Sequence, residues 1–224
     1  MEPFDWNPLL LTFKLAGITT LVLLIVGIPI AYGLSVWQSR WSNLIQTLIS
    51  MPLVLPPTVL GFYLLLAFNP NGWLGSFLES WFGLRLVFTF EGLVVASLIY
   101  SMPFMVNPVQ NGFSTLPGAL REASFTLGKS HFQTFFKVLL PNIRPAIISG
   151  AVLSFAHTIG EFGVILMIGG SIPGETLVGS IAIYNEVEVL NYGNAHRYAL
   201  ILFIICFCFL FSVYYFNRRQ VRAF

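Results

Sequence analysis

The sequence predicts an all-α integral membrane protein, and three observations support this prediction. Hydrophobic residues make up 56% of the 224 residues and charged residues only 9%, whereas a typical soluble domain has about 25% charged residues. Five segments are apolar over the roughly 20 residues that a helix needs to cross a bilayer. Basic residues concentrate in alternate loops. A net charge of +2 without a basic patch gives no indication of a nucleic-acid partner.

Five core transmembrane helices are expected, at residues 15–37, 44–68, 92–112, 146–169 and 198–216. The connection at 69–90 begins with a turn and continues as an amphipathic stretch expected in the membrane interface. Residues 171–196 are apolar enough for a sixth helix, either short or re-entrant. Because no linker or repeat divides the chain, residues 1–224 are predicted to form one transmembrane domain.

Loop charges predict the orientation in the membrane. Eight of the eleven Lys and Arg residues share one side if the first loop, the long loop and the C-terminal tail lie together. These eight are Arg40, Arg121, Lys129, Lys137, Arg144, Arg218, Arg219 and Arg222. Cytoplasmic loops carry an excess of Lys and Arg. We therefore expect the N-terminus outside, and the long loop and the C-terminus in the cytoplasm.

The long loop, at about 113–142, is predicted to begin with a short amphipathic helix. Leu120, Ala123 and Leu127 recur at spacings of three and four residues, which indicates a helix over 117–127 with one apolar face. Pro117 suits its first turn, since that position needs no N–H donor. Gly128 suits its end, where glycine accepts a left-handed conformation.

A second loop helix is expected to follow at once, with Ser130 as its N-cap. Its predicted apolar face is formed by Phe132, Phe135, Phe136, Leu139 and Leu140. Its other faces carry Gln133, Thr134 and Lys137. The loop is thus predicted to consist of a helix, a reversal of the chain at Gly128 (called here the glycine elbow), a second helix and Pro141.

Residues 122–141 carry the pattern Glu-Ala-Ser-x3-Gly-x9-Val-x-Leu-Pro. It is similar to the cytoplasmic EAA loop of ABC-importer permeases, with Ser124 in place of the second alanine and Val138 in place of isoleucine. Segments 53–63 and 160–176 look like the molybdate branch of that family. The resemblance covers essentially the whole chain.

This resemblance implies the type I importer permease fold in the cell inner membrane. It also implies three kinds of partner: a second copy of the chain, two cytoplasmic ABC ATPase subunits, and an extracytoplasmic oxyanion-binding protein. A short, rigid loop helix would transmit the motion of the ATPase, although an ordinary amphipathic loop helix is the alternative. The residues expected to couple to the ATPase are Arg121, Glu122, Ala123, Ser124, Gly128 and Pro141.

No cofactor, metal or nucleotide site is expected in this chain. Gly128-Lys129-Ser130 is like the end of a phosphate-binding loop, but Ala123 stands where the first glycine is required and no strand precedes it. Cys206 and Cys208 are expected to be packing residues rather than a disulfide or metal pair. The chain is therefore predicted to be a transport subunit and not an enzyme, with ATP hydrolysed by a partner.

The predicted spans contain no deep Lys or Arg that would hold a dianion tightly. Helices broken at prolines would instead offer backbone N–H groups to an oxyanion, while the alternative is that the prolines only shape packing. The candidate translocation-path residues are Pro56, Pro57, Thr58, Ser101, Asn107, His157 and Glu161. Glu161 is expected to be a structural brace, with His157 as one candidate partner; a gate near the outer mouth is the other interpretation.

Molybdate is the expected cargo, with sulfate, thiosulfate or tungstate as alternatives within the same superfamily. A stand-alone secondary anion carrier belongs to a different class. It would not need the loop helix, and it would usually show ionisable coupling residues or an internal repeat. A membrane enzyme would need a nucleophile or metal cluster, for which His157 and Glu161 are the only candidate pair.

Overall fold

The computed structural model describes residues 4–37 and 39–221, with only the backbone of Tyr214 and of 216–221. Arg222 therefore lies outside the described residues, as do the side chains of Arg218 and Arg219. Over these ranges the regular structure is entirely helical. The helices are α1 Asn7–Val36, α2 Arg40–Ser50, α3 Pro57–Ala67, α4 Trp73–Phe82, α5 Phe90–Ser114, α6 Gly118–Thr126, α7 His131–Thr134, α8 Leu140–Asn142, α9 Arg144–Gly160, α10 Gly163–Gly169, α11 Gly179–Glu188 and α12 Tyr192–Val221. Two short turns of other helix types, Met51–Leu53 and Phe135–Leu139, extend α2 and join α7 to α8.

Helices α1, α5 and α9 pack against one another at the centre. Their contacts are close because glycine replaces a side chain at the crossings. A Cβ atom on Gly27 would lie 2.8 Å from Met105 Cγ, and one on Gly150 would lie 3.1 Å from the Met105 carbonyl oxygen. Small residues at such crossings let helix backbones approach within the membrane, where dispersion rather than the hydrophobic effect drives packing.

Three described helices are long and apolar enough to cross a membrane unbroken: Asn7–Val36, Phe90–Ser114 and the part of α12 at Tyr192–Val213. Two bent pairs raise the number to five if each pair is one span. Arg40–Leu53 and Pro57–Ala67 meet at 113°, and His131–Asn142 and Arg144–Gly160 meet at 73°. By length and composition the described helices are therefore compatible with up to five crossings, and the second pair passes that test only when the loop residues His131–Asn142 are counted with α9.

For the predicted span at 44–68, a break at the prolines was one of two interpretations, and the helix is broken there. Pro56 is extended, with ψ 135°, and α3 starts at Pro57. A residue that precedes proline is disfavoured in the α region, and Pro57 has no N–H to continue the preceding helix. Pro103 and Pro108, in contrast, lie inside the continuous helix α5.

The predicted span at 146–169 was expected to be a single helix, and this is wrong. Helix α9 ends at Gly160, Glu161 and Phe162 lie outside helices, and α10 restarts at Gly163. No proline marks this break. The short helix α10 is almost entirely buried and packs against α3 and α5.

The connections at 69–90 and 171–196 contain the short elements that the sequence suggested. Helix α4 occupies Trp73–Phe82 and leaves Trp73 and Trp81 largely exposed, as an interface-lying helix would. The short helix α11 accounts for the possible sixth helix. The outermost spans begin earlier than predicted, at Asn7 and at Tyr192.

Candidate functional site

The first loop helix, α6, ends in a complete hydrogen-bonded C-cap. The N–H of Gly128 donates to the Phe125 carbonyl, and the N–H of Lys129 donates to the Ser124 carbonyl. Gly128 has φ +75°, the left-handed conformation that this cap requires and that glycine adopts without a Cβ penalty. The predicted glycine elbow is therefore present. Pro117 precedes the helix as its N-cap instead of lying in its first turn.

The second loop helix begins with a capping box. The Ser130 side chain accepts from the Gln133 N–H, and the Gln133 side chain accepts from the Ser130 N–H. The helix then widens into a π-helical turn at Phe135–Leu139, where the N–H of Leu140 donates to the Phe135 carbonyl. Pro141 follows this turn and has no N–H to donate. A sharp bend at Ile143 leads into α9.

The predicted apolar face of the second loop helix is right in part. Leu139 is buried, and Phe135 and Leu140 are partly buried and pack in the same cluster. Phe132 and Phe136, predicted on the same face, are 71% and 48% exposed, and Thr134, predicted on another face, is buried with 1% of its surface exposed. Thr134 is buried because it contacts α6, a contact that the spacing of apolar residues does not reveal.

The two loop helices are joined through a buried pair of hydroxyl groups. Ser124 Oγ lies 2.9 Å from Thr134 Oγ1, within hydrogen-bond distance. Ser124 is the residue of α6 that is buried, at 4% exposure, whereas Ala123 and Leu127 of the predicted apolar face are exposed. The predicted apolar face of α6 is therefore wrong at those two positions, because the helix packs through Ser124.

The six predicted coupling residues lie within this two-helix unit but face different ways. Glu122, Ala123 and Gly128 are exposed, and Arg121 and Pro141 are partly buried. Arg121 borders a cleft of about 340 Å³ beside Tyr32 and Leu139. Ser124 faces inward, so it positions the unit and does not form part of its outer surface.

A second candidate site lies where the two interrupted segments meet. A Cβ atom on Gly163 would lie 2.9 Å from Pro57 Cβ, and one on Gly61 would lie 3.0 Å from Val164 Cα. Helices α3 and α10 thus start side by side with their backbones in close approach. A cleft of about 480 Å³ at this point is bordered by Pro57, Thr58, Tyr100, His157, Glu161 and Gly163, with their neighbours Ala156, Gly160 and Phe162.

Glu161 occupies the break between α9 and α10, with 3% of its surface exposed. Ser97 Oγ donates to its Oε2 at 2.8 Å, and Ser180 Oγ donates to its backbone carbonyl at 2.7 Å. Its Oε1 has no hydrogen-bond partner among the described residues. Glu161 therefore ties α5, the break and α11 together, which is the geometry of a brace.

His157 is not the partner of that carboxyl group. Its ring stacks on Phe104 at 4.0 Å between centroids and lies 4.7 Å from the Tyr100 ring. The candidate partner His157 is therefore wrong, and the side chain that holds the Glu161 carboxyl group is Ser97. Ser97 is 64 residues from Glu161 in sequence, and the one-turn spacing of Ser97 from Ser101 on α5 was the available signal.

The structure brings most of the predicted path residues together. Pro57, Thr58, His157 and Glu161 border the same cleft, and Pro56 immediately precedes it. Ser101 Oγ lies 2.9 Å from the Thr158 hydroxyl, next to His157. Asn107 is more than one helical turn further along α5 and does not border this cleft. In the described ranges no group of three or more His, Cys, Asp or Glu side chains could hold a metal ion.

Residues 23–222 match the family described as "Binding-protein-dependent transport system inner membrane component". The chain belongs to this family. It is therefore a membrane transport subunit and not itself an enzyme, and ATP hydrolysis belongs to a separate subunit. The predicted fold and transport role are confirmed.

The chain is similar to permeases named for molybdenum transport and for sulfate transport. The chain is 46% identical to "Molybdenum transport system permease protein ModB" of Azotobacter vinelandii, over 100% of this chain and 98% of that protein. It is 34% identical to ModB of Escherichia coli strain K12, over 82% of this chain and 80% of that one. It is 33% identical to "Probable sulfate transport system permease protein cysT" of Chlorella vulgaris, over 100% of this chain and 82% of that protein.

Solved ABC transporter structures share the fold of this permease. A bacterial transporter involved in alginate import matches with a TM-score of 0.79 and 17% identity, over 98% of this chain and 80% of that one. The inward-facing MetNI methionine transporter matches with a TM-score of 0.75 and 17% identity, over 98% of both chains. At this identity the likeness concerns the fold alone.

Proposed function

We propose that this permease imports molybdate in an ATP-driven system. The observation that carries the proposal is the 46% identity to the molybdenum permease of Azotobacter vinelandii, which extends over the whole chain. The interrupted helices also support an oxyanion as the cargo. A pore built from backbone and hydroxyl groups would release a dianion that a lysine or arginine would retain.

The proposed orientation places the N-terminus outside and the C-terminus in the cytoplasm. It rests on the eight basic residues of the first loop, the long loop and the tail. The unit formed by α6, α7 and α8 then lies on the cytoplasmic side. A helical unit braced by a C-cap, a capping box and a buried hydroxyl pair is suited to transmit rigid-body motion to α9.

We place the ATPase against the exposed surface of this unit, called here the coupling surface and defined by Glu122, Phe125, Leu127, Phe132 and Phe136. Leu127 and Phe132 are 77% and 71% exposed, next to exposed Glu122. Large exposed apolar side chains rimmed by polar groups are typical of a protein interface. The small side chain of exposed Ala123 would permit close approach of the ATPase, with partly buried Arg121 and Pro141 in the same unit.

The assembly that we propose has two copies of the permease, two ATPase subunits and an extracytoplasmic oxyanion-binding protein. The family requires a binding protein by its description. Two copies related by a twofold axis would enclose one path between them. The cleft at Pro57, Thr58, His157 and Glu161 would lie along that path, with Ser101 and Asn107 on the same helix, α5.

Sulfate is the second candidate cargo, because the Chlorella vulgaris sulfate permease is 33% identical over this whole chain. The test is uptake of labelled molybdate by the reconstituted system with unlabelled molybdate, tungstate, sulfate or thiosulfate as competitor. Competition by molybdate at the lowest concentration supports the proposal. Preferential competition by sulfate or thiosulfate would assign the permease to the other branch.

A further inference from the structure

Helix α2 carries a continuous stripe of uncharged polar side chains. Asn43, Gln46, Thr47 and Ser50 occupy positions i, i+3, i+4 and i+7, so they share one face. The other faces carry Trp41, Leu44, Ile45 and Leu48. Polar side chains within a membrane helix almost always face the bundle interior or a water-filled cavity.

Helix α5 carries a stripe with the same spacing. Asn107, Gln110, Asn111 and Ser114 again occupy i, i+3, i+4 and i+7. The two stripes face each other, since Gln110 Nε2 lies 3.4 Å from Gln46 Oε1. That distance exceeds the usual range for such a hydrogen bond, so the contact is weak.

The carboxamide groups of α5 are not held in place by hydrogen bonds to their oxygens. Asn107 Oδ1 and Gln110 Oε1 are buried and have no partner among the described residues. A carboxamide offers donors on one side and an acceptor on the other, and its terminal torsion is soft. A half-turn of either carboxamide about that torsion would exchange its unpaired oxygen for the NH2 group, which can donate to an anion.

Two adjoining cavities border the stripe on α2. One, of about 600 Å³, is bordered by Asn43, Gln46, Thr47 and Ser50, together with Met51, Val54 and Leu55. The other, of about 410 Å³, shares Asn43 and Gln46 and ends at Arg40. Neither is bordered by a carboxylate, and α5 approaches them only through the contact of Gln110 with Gln46. A water molecule takes up about 30 Å³ of liquid, so there is space for an oxyanion with part of its hydration shell.

We propose that the polar stripe of α2, with Gln110 of α5 beside it, forms a transient binding site for the tetrahedral oxyanion on the cytoplasmic half of its path. This proposal rests on the transport function and orientation proposed above. Carboxamide N–H groups replace part of the anion's hydration without a fixed positive charge, so the anion binds and leaves. Arg40, at the far end, draws the dianion toward the cytoplasm.

The first test changes the charge of the stripe while keeping its shape. In proteoliposomes containing the permease, its ATPase and the binding protein, Gln46→Glu and Gln110→Glu should each lower molybdate uptake about tenfold, since one added charge near a dianion opposes its entry. Asn71→Asp, which adds a carboxylate to the exposed turn before α4, should leave uptake unchanged. Assembly with the ATPase is measured in parallel to confirm folding.

A second test measures whether an anionic reagent can reach the stripe on α2, and it does not rely on transport. Gln46→Cys and Ser50→Cys, made in a Cys206→Ser, Cys208→Ser background, should react with an anionic methanethiosulfonate reagent in the assembled complex. Millimolar molybdate should slow that reaction severalfold. Leu48→Cys is the matched control on the apolar face of α2, where Leu48 is 57% exposed, and molybdate should not change its reaction rate.

The two proposals fail in different ways. If the wild-type complex takes up no oxyanion with ATP, the proposed function is wrong. If wild-type uptake is normal and both Glu variants transport at the wild-type rate, only the amide site is wrong. The site would also be wrong if Gln46→Cys and Ser50→Cys reacted with the reagent at the same rate as Leu48→Cys, both with and without molybdate.

Discussion

The hydroxyl oxygens of Ser124 and Thr134 lie 2.9 Å apart in the buried contact between the two loop helices. In the family pattern that the loop resembles, alanine usually stands at the position of Ser124. The serine here adds a hydrogen bond to what would otherwise be apolar packing. We propose that the loop unit moves as one body and that its motion passes to α9 through Pro141 and Ile143.

Loss of the Ser124–Thr134 pair should loosen the coupling of ATP hydrolysis to uptake. Thr134→Val keeps the shape but leaves the buried Ser124 hydroxyl unpaired, which should cost about 1–3 kcal/mol. Ser124→Ala in the Thr134→Val background removes that unpaired group, so the double variant should be less impaired than the sum of the singles. The measurement is molybdate transported per ATP hydrolysed. Thr126→Val, on the exposed side of α6, is the control.

Gly128 is required for its backbone conformation and not for space. It has φ +75°, and no heavy atom lies within 4 Å of a Cβ built there. Gly128→Ala should therefore destabilise the loop by about 1 kcal/mol through backbone strain alone. Gly128→Asn should be milder, since asparagine tolerates this region. Thermal dissociation of the permease–ATPase complex measures the effect. Gly118→Ala, equally free of neighbours and without a positive φ, should be neutral; equal losses at both positions would contradict the argument.

Glu161 is expected to act through hydrogen bonds and not through its charge. Glu161→Gln can still accept the Ser97 hydrogen bond at its carbonyl oxygen, so assembly with the ATPase should be retained. Glu161→Ala leaves a cavity and an unpaired Ser97 hydroxyl, with an expected loss of about 2–4 kcal/mol in stability. Size-exclusion chromatography of the detergent-solubilised complex follows both variants. Failure of Glu161→Gln to assemble would show that the carboxylate is needed.

The contact between α3 and α10 should tolerate no side chain larger than hydrogen at its glycines. A Cβ on Gly61 would lie 2.8 Å from Met167 Cβ and 3.0 Å from Val164 Cα. Gly61→Ala should therefore separate the two half-helices and lower uptake. Gly17→Ala, where no heavy atom lies within 4 Å of the added Cβ, is the matched control. Normal uptake by Gly61→Ala would show that the cleft does not depend on this contact.

Local signals in the sequence were sufficient for the loop caps and for the break at Pro56. Gly128 and Pro57 act through their own backbone, and Ser130 through its side-chain hydroxyl, on residues close to them in sequence. The break at Glu161 and Phe162 has no such signal. It is accompanied by Ser97 and Ser180, which are 64 and 19 residues away, and by the backbone of α3. Spacing could not predict these contacts between distant segments.

The faces of the loop helices were predicted wrongly at several positions, for a related reason. The spacing of apolar residues does not reveal that the two helices pack through the hydroxyl groups of Ser124 and Thr134, with Phe132 left exposed. The sequence also favours burial of large apolar side chains, whereas Leu127 and Phe132 are exposed. This mismatch is itself informative, because it marks the surface that we assign to the ATPase.

The central claim is that the coupling surface converts ATP hydrolysis by a partner into oxyanion uptake. The most direct measurement is labelled molybdate uptake into proteoliposomes that contain the permease with and without its ATPase, with binding protein and ATP supplied. We expect uptake only with the ATPase, and its loss in Glu122→Lys with the permease still folded in the membrane. Uptake at the same rate without the ATPase would contradict the account.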